Sequence, residues 1–161
     1  MPQDNRLLKT EHQRRVEEFM GKAGQAVPPH PTKPTATVCQ LRARLIMEEA
    51  METIKALGID LRLRRDVEEH GFLEFDDIAF LPTGEFDMVE VADGCADISV
   101  VTIGTLSACG IADGPLLREV DESNLRKFGP GSRRREDGKW LKPEDWQPPD
   151  IERVLKEQEC K

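Results

Sequence analysis

Two acidic stretches constrain this chain more than any other feature. Residues 41–52 (Leu-Arg-Ala-Arg-Leu-Ile-Met-Glu-Glu-Ala-Met-Glu) and 90–97 (Glu-Val-Ala-Asp-Gly-Cys-Ala-Asp), the latter running on into Ile98, Ser99, Val100 and Val101, mix carboxylates with apolar residues at helical spacing. At about 100° per residue, Leu41, Leu45, Glu48 and Glu52 share one stripe with Glu49 at its margin, while Glu90, Asp93, Asp97, Val100 and Gly104 share another. Acids therefore stand where the periodicity places core residues. Packed together, the stripes would gather five or six carboxylates in a low-dielectric space, at a cost on the order of several kcal/mol unless protons or a divalent cation offset it. The donors on these stripes are oxygens, which suit Mg²⁺ or Mn²⁺, with no thiolate or imidazole to favour Zn²⁺. The competing reading is a pair of solvated helix faces, the ordinary fate of any single acid.

At 161 residues the chain is expected to be one domain. It divides into an N-terminal helix with a Pro-rich connector (1–34), a helical core (35–129) and a basic C-terminal segment (130–161). A net charge of −8 argues against a partner that is polymeric nucleic acid or an anionic membrane. The four cysteines, Cys39, Cys95, Cys109 and Cys160, show no C-x-x-C spacing, and Cys95 and Cys109 fall in apolar helical stretches as small core residues would. That usage, with no apolar run near Met1, predicts a cytoplasmic protein. Residues 98–112 form the most apolar run. It is short for a membrane span and is interrupted by Thr102, Gly104, Thr105 and Ser107, so a buried core helix is expected.

In chain order, a helix is predicted over 4–23 with sparse apolar positions Leu8, Val16, Phe19 and Met20. Four prolines between Gly24 and Pro34 then impose an extended connector, in which His30 reads as a solvated loop residue. The first acidic helix should start with Thr35 or Thr37 as N-cap and end near Gly58. Residues 61–69 read as a helical extension. Residues 72–75 and 78–81 suggest a small hairpin around Asp76 and Asp77, closed by Pro82, Thr83 and Gly84. Asp87 should cap the second acidic helix, which runs to Cys109 and Gly110. A further helix from about Pro115 stops at Gly129-Pro130-Gly131. Asp137-Gly138 signals a second hairpin near 134–141. Asp150 should cap a short terminal helix, frayed from Lys156 onward. The fold class is therefore all-α, a bundle of four to five helices with two small hairpins.

Charge is unevenly spread. From Asn124 to Lys142 there are seven basic residues and two acidic ones, a local +5 that leaves −13 on the remainder. Such a chain can hold a metal on one side of a polyphosphate and neutralise its oxygens from the other. For Arg133, Arg134 and Arg135 a solvated charge run is an equal reading. Lys127 and Asn124 are the better candidates, three residues apart on the helix from Pro115.

Glu49-x-x-Glu52 and Glu90-x-x-Asp93, with Glu48 preceding the first pair, resemble the signature of the all-α nucleotide pyrophosphohydrolases: MazG-like proteins, dimeric dUTPases and phosphoribosyl-ATP pyrophosphohydrolases. Further segments resemble the phosphoribosyl-ATP pyrophosphohydrolase-like branch. They are Val16-Glu17-Glu18-Phe19-Met20 before the Pro-rich connector, Glu122-Ser123-Asn124-Leu125-x-Lys127-Phe128, Asp137-Gly138-Lys139-x-Leu141-Lys142-Pro143, and Pro148-Pro149-Asp150-Ile151. The stretch 59–87 is longer than the connector expected of that branch. The resemblance implies a homodimer or homotetramer that hydrolyses a nucleotide between its α and β phosphates and releases pyrophosphate. Carried over, Glu49, Glu52, Glu90 and Asp93 would bind Mg²⁺, with Mn²⁺ as a substitute. Glu48 would be the base. Asn124 and Lys127, with Lys139 and Lys142 as weaker candidates, would bind the substrate's phosphates. Asp97, one turn beyond Asp93, reads as an outer partner of the ligands. The alternative reading is a non-catalytic Mg-nucleotide sensor.

Overall fold

The computed structural model describes residues 5–64, 73–136, 138 and 140–159. Five α-helices dominate: α1 (Glu11–Lys22), α2 (Ala36–Ala56), α3 (Met88–Ala108), α4 (Asp113–Arg126) and α5 (Ile151–Gln158). Two small antiparallel sheets accompany them, β1 (Ile59–Leu63) with β2 (Ile78–Pro82), and β3 (Arg133–Arg134) with β4 (Trp140–Leu141). The all-α expectation with two small hairpins holds.

The helix boundaries follow their caps. Thr35 accepts from Val38 N–H at 3.3 Å and starts α2, while Asp87 Oδ1 accepts from Val89 and Glu90 N–H at 2.9 and 3.2 Å and starts α3. Asp150 accepts from Arg153 N–H at 3.0 Å to start α5. Gly58 follows α2 at φ 76°, the left-handed conformation that ends many helices, and a Cβ there would lie 2.5 Å from the Glu85 carbonyl oxygen.

Four local expectations are corrected. Residues 4–23 do not form one helix: a 3₁₀ turn at Asn5–Leu8 precedes α1, because the N–H and hydroxyl of Thr10 are taken by Asp113 at 2.8 and 2.5 Å. Thr10 instead caps α1 through Gln13 N–H. Residues 59–63 are a strand and not a helical extension, as the alternation of Ile59, Leu61 and Leu63 with Asp60 and Arg62 dictates. That strand is the partner of β2, in register Leu61↔Phe80. Residues 75–77, placed by the sequence in the hairpin's first arm and tip, form a 3₁₀ turn, and Phe72 lies outside the described residues, as do Val67, Glu68 and Glu69. Finally, α5 continues to Gln158, a residue only 3% exposed.

The chain forms two compact units. The first comprises 1–34 and 103–161, the second 35–102. In the first, Val16, Met20, Ile103, Ala108, Ala112 and Val154 make the core. A buried polar network seals it: Gln13 Nε2 donates to Ser107 Oγ at 3.0 Å and to the Ile111 carbonyl at 2.8 Å, while its Oε1 accepts from Asp113 N–H at 2.8 Å. Gln158 grips both backbone groups of Ala112, accepting at 2.7 Å and donating at 3.1 Å. Lys9 sits against both oxygens of Glu17, at 2.8 and 2.9 Å. In the second unit Val101 is the one apolar side chain buried among the described residues. By length and composition α3 is apolar enough to cross a membrane, with a third of that window buried within the chain. Its later residues Val101, Ile103 and Ala108 serve as core, as expected, whereas Cys95 is exposed and Cys109 half-buried.

Candidate active site

The second unit holds both acidic helices, and one contact explains how they meet. Gly94 on α3 faces Thr53 on α2 so closely that a Cβ would lie 2.3 Å from the Thr53 hydroxyl and 3.3 Å from its Cα. Only a residue without a side chain permits that approach. Thr53, 6% exposed, turns its hydroxyl back to donate to the Glu49 carbonyl at 2.7 Å. With Gly94 against Thr53, the neighbours Asp93 and Asp97 face the turn of α2 that carries Glu49.

The electrostatics record this convergence. The Glu49 carboxyl is pushed above the usual glutamate range, first by partial withdrawal from water and then by Asp97, Glu52, Glu48 and Asp93, in that order. Two of these acids belong to α3 and two to α2. Asp97 thus acts on Glu49 more strongly than any other charged neighbour. Glu90 joins from another direction, lining with Glu52 a cavity of about 590 Å³.

Burial departs from expectation. Glu49 and Asp97 are half-buried, but Glu48, Glu52, Glu90 and Asp93 are exposed. The acids form a solvent-open face and not a buried core stripe. Among the described residues no three acidic, histidine or cysteine side chains come close enough together to hold a metal ion. The donors nonetheless fit a hard divalent cation: all are carboxylates, and Glu49 lies in a negative field that such an ion would relieve.

The phosphate-binding candidates belong to the first unit, and the structure brings Asn124, Lys127 and Lys142 together. Lys127 follows the last turn of α4 and donates to Asn124 Oδ1 at 2.7 Å. Its Nζ lies 5.6 Å from the Trp146 ring centroid, and Lys142 Nζ lies over the same ring at 3.7 Å. Trp146 is itself fixed, donating Nε1–H to the Ser123 carbonyl at 2.9 Å, while the Ser123 hydroxyl donates to the Gln147 carbonyl at 3.2 Å. Phe128 meets Trp140 edge-on at 5.3 Å. Arg133 and Arg134 are exposed on β3, and Lys139 lies outside the described residues, as does Asp137 of the second hairpin. Sequence reasoning missed Trp146, whose signal was an indole among prolines close to two lysines.

A mostly helical chain with carboxylates paired across two helices defines the class of the all-α nucleoside triphosphate pyrophosphohydrolase superfamily. The family model described as phosphoribosyl-ATP pyrophosphohydrolase matches residues 15–124, about two thirds of the chain, and the chain belongs to that family. The match contains Glu48, Glu49, Glu52, Glu90, Asp93, Asp97 and Asn124, and it ends before Lys127. No curated protein matches the chain. Membership in the family implies pyrophosphohydrolase activity in general terms, and enzymes of the family generally depend on a divalent metal.

Proposed function

We propose that this chain is a Mg²⁺-dependent nucleotide pyrophosphohydrolase, cleaving a nucleoside triphosphate or phosphoribosyl-nucleotide between the α and β phosphates to give the monophosphate and pyrophosphate. The observation that carries the reading is the meeting of the two acidic helices at Gly94 and Thr53, beside which the Glu49 carboxyl is pushed up by withdrawal from water and then by acids of both helices. Glu49, Glu52, Glu90 and Asp93 would hold Mg²⁺ or Mn²⁺. When bound, such an ion offsets phosphate charge and makes water more acidic. Glu48, exposed beside these ligands, accepts the proton of the attacking water as the new P–O bond forms and the anhydride P–O bond breaks. Asp97, half-buried one turn beyond Asp93, is the charged group that acts most on Glu49 and would orient that ligand as its outer partner. Asn124, Lys127 and Lys142, with Lys139, hold phosphate oxygens, and Trp146 keeps Lys127 and Lys142 on one ring.

The same reading includes assembly as a homodimer or homotetramer in the cytoplasm. Its support is the apolar surface left on the second unit: Leu41, Met47 and Met51 on α2 and Met88 and Val89 on α3 are all exposed, Val89 at 73%. A second copy of the chain is the occupant proposed for these faces.

Incubation of purified protein with a nucleotide panel and Mg²⁺, followed by product separation, tests the reaction. Equal amounts of monophosphate and pyrophosphate are expected, with no turnover in chelator. Orthophosphate as the sole phosphate product, with pyrophosphatase excluded, contradicts it. Tight Mg-nucleotide binding without turnover would make the chain a sensor instead.

A further inference from the structure

The cavity that Glu52 and Glu90 share extends past both acids onto residues that the cation does not need. Its wall continues with Lys55, Glu85, Phe86 and Asp87, all within the second unit. At about 590 Å³ it falls in the range of small-molecule sites. The segment carrying Phe86 is held by backbone contacts: Thr83 N–H donates to the Gly58 carbonyl at 2.8 Å, and Asp87 N–H donates to the Ala56 carbonyl at 3.0 Å. Gly58 admits the Glu85 backbone to van der Waals distance, so residues 83–87 lie fixed along the end of α2. Phe86 therefore presents a ring, 55% exposed, from an anchored position and not from a free loop. Lys55, one turn beyond Glu52, stands among four carboxylates on this wall, yet among the described residues its ammonium makes no ion pair or hydrogen bond.

We propose that this cavity is the nucleoside subsite, with the base stacked on Phe86 and Lys55 facing the phosphate that stays with the nucleoside. The inference rests on the reaction proposed above and names how its substrate is held. Charge decides the orientation. The four carboxylates and one ammonium make the wall −3, so an anion is tolerated only beside Lys55 and at the Glu52 and Glu90 end, where a divalent cation neutralises the acids. Phe86, the aromatic group of that wall, receives the uncharged base. Stacking on an aromatic face discriminates weakly among bases, so the subsite favours ring size over hydrogen-bonding pattern.

Calorimetric titration with nucleoside monophosphates and, separately, inorganic pyrophosphate, each with Mg²⁺, tests this without relying on turnover. Phe86→Ala should weaken monophosphate binding about tenfold and Phe86→Trp should retain it, because base stacking is the contact removed and restored. Pyrophosphate binding and the ligand-free melting temperature should be unchanged in both variants. Lys55→Gln should weaken the monophosphate but not the corresponding nucleoside. Equal monophosphate affinity in wild type and Phe86→Ala, a parallel loss of pyrophosphate binding, or no monophosphate binding by wild type each overturns the subsite. Turnover to monophosphate and pyrophosphate alongside any of those results would leave the proposed reaction standing and this assignment refuted.

Discussion

The unit formed by 1–34 and 103–161 buries Met20 and Val154 and seals them with Gln13, Asp113 and Gln158, whereas the unit 35–102 buries Arg42, Thr53 and Asp77 and leaves Leu41, Met47, Met51 and Phe86 exposed. One unit supplies buried Gln13 with partners for both its amide nitrogen and its amide oxygen. The other carries acids on both of its helices that raise the carboxyl of Glu49. A region whose charges are matched from within is built for stability. A region whose charges oppose one another fits the bound cation and nucleotide proposed above.

Substitutions sharpen that contrast, beginning with the largest effect. Glu49→Gln or Glu52→Gln should lower turnover by at least about two to three orders of magnitude, as when charge stabilisation of a transition state is lost. The metal-free melting temperature should hold or rise, since a repelling charge has gone. Steady-state assays and melts on one preparation check both limbs. Next, Gln13→Ala in the other unit should destabilise the protein by about 2–4 kcal/mol, because it strands Asp113 N–H and the Ile111 carbonyl without partners. Denaturant unfolding measures that loss, and kcat per folded molecule should be unchanged. If Gln13→Ala instead removed the Mg²⁺ response, the division of labour between the units would be wrong.

Lys127→Ala should raise KM by about tenfold while Mg²⁺ binding to the nucleotide-free protein stays intact, because the lysine addresses the ligand and not the ion. Trp146→Phe keeps a ring under Lys142 and should cost less than Trp146→Ala in the same assay. Parity of the two variants would remove Trp146 from substrate handling.

The smallest expected effect is on pH dependence. The folded-state pKa of Glu49 lies above the value of 4.5 it takes in the unfolded chain, so the native state binds more protons in the window that opens at 4.5 and extends upward. Stability from this group is therefore lost as pH rises through that window and regained as pH falls. In chelator, the melting temperature of wild type relative to Glu49→Gln should decline as pH increases toward neutrality. A constant difference would show that Glu49 feels no repulsion.

Much of this architecture was legible because its signals are local. Thr35, Asp87 and Asp150 cap the helices the sequence assigns them, and Gly138, at φ 84°, lies between β3 and β4. Long-range partners were not legible. Thr10 breaks the N-terminal helix because Asp113, a hundred and three residues away, claims its N–H and hydroxyl. Strand β1 was hidden inside a stretch rich in charge, although its alternation was present, because its partner β2 lies beyond Arg64 and the eight residues after it. The acid stripes were readable from spacing, but their exposure was not: helical periodicity tells which residues share a face and is silent on whether that face is covered. Lys55 and Phe86 escaped notice for a related reason, since an isolated lysine and phenylalanine acquire meaning only once Gly58 brings residues 83–87 against the end of α2.

The acids of α2 and α3 are most directly tested by a Mg²⁺ titration of thermal stability in wild type, Asp93→Asn and Asp97→Asn. If they form one cation-organised site, metal-free Asp97→Asn melts above metal-free wild type, because Asp97 is the charge that presses hardest on Glu49. Wild type then gains stability with Mg²⁺ as RT ln(1 + [L]/Kd), about 2.7 kcal/mol at a hundredfold excess over Kd, and Asp93→Asn gains much less. Identical melting of wild type with chelator and with saturating Mg²⁺ would contradict a metal site on these helices.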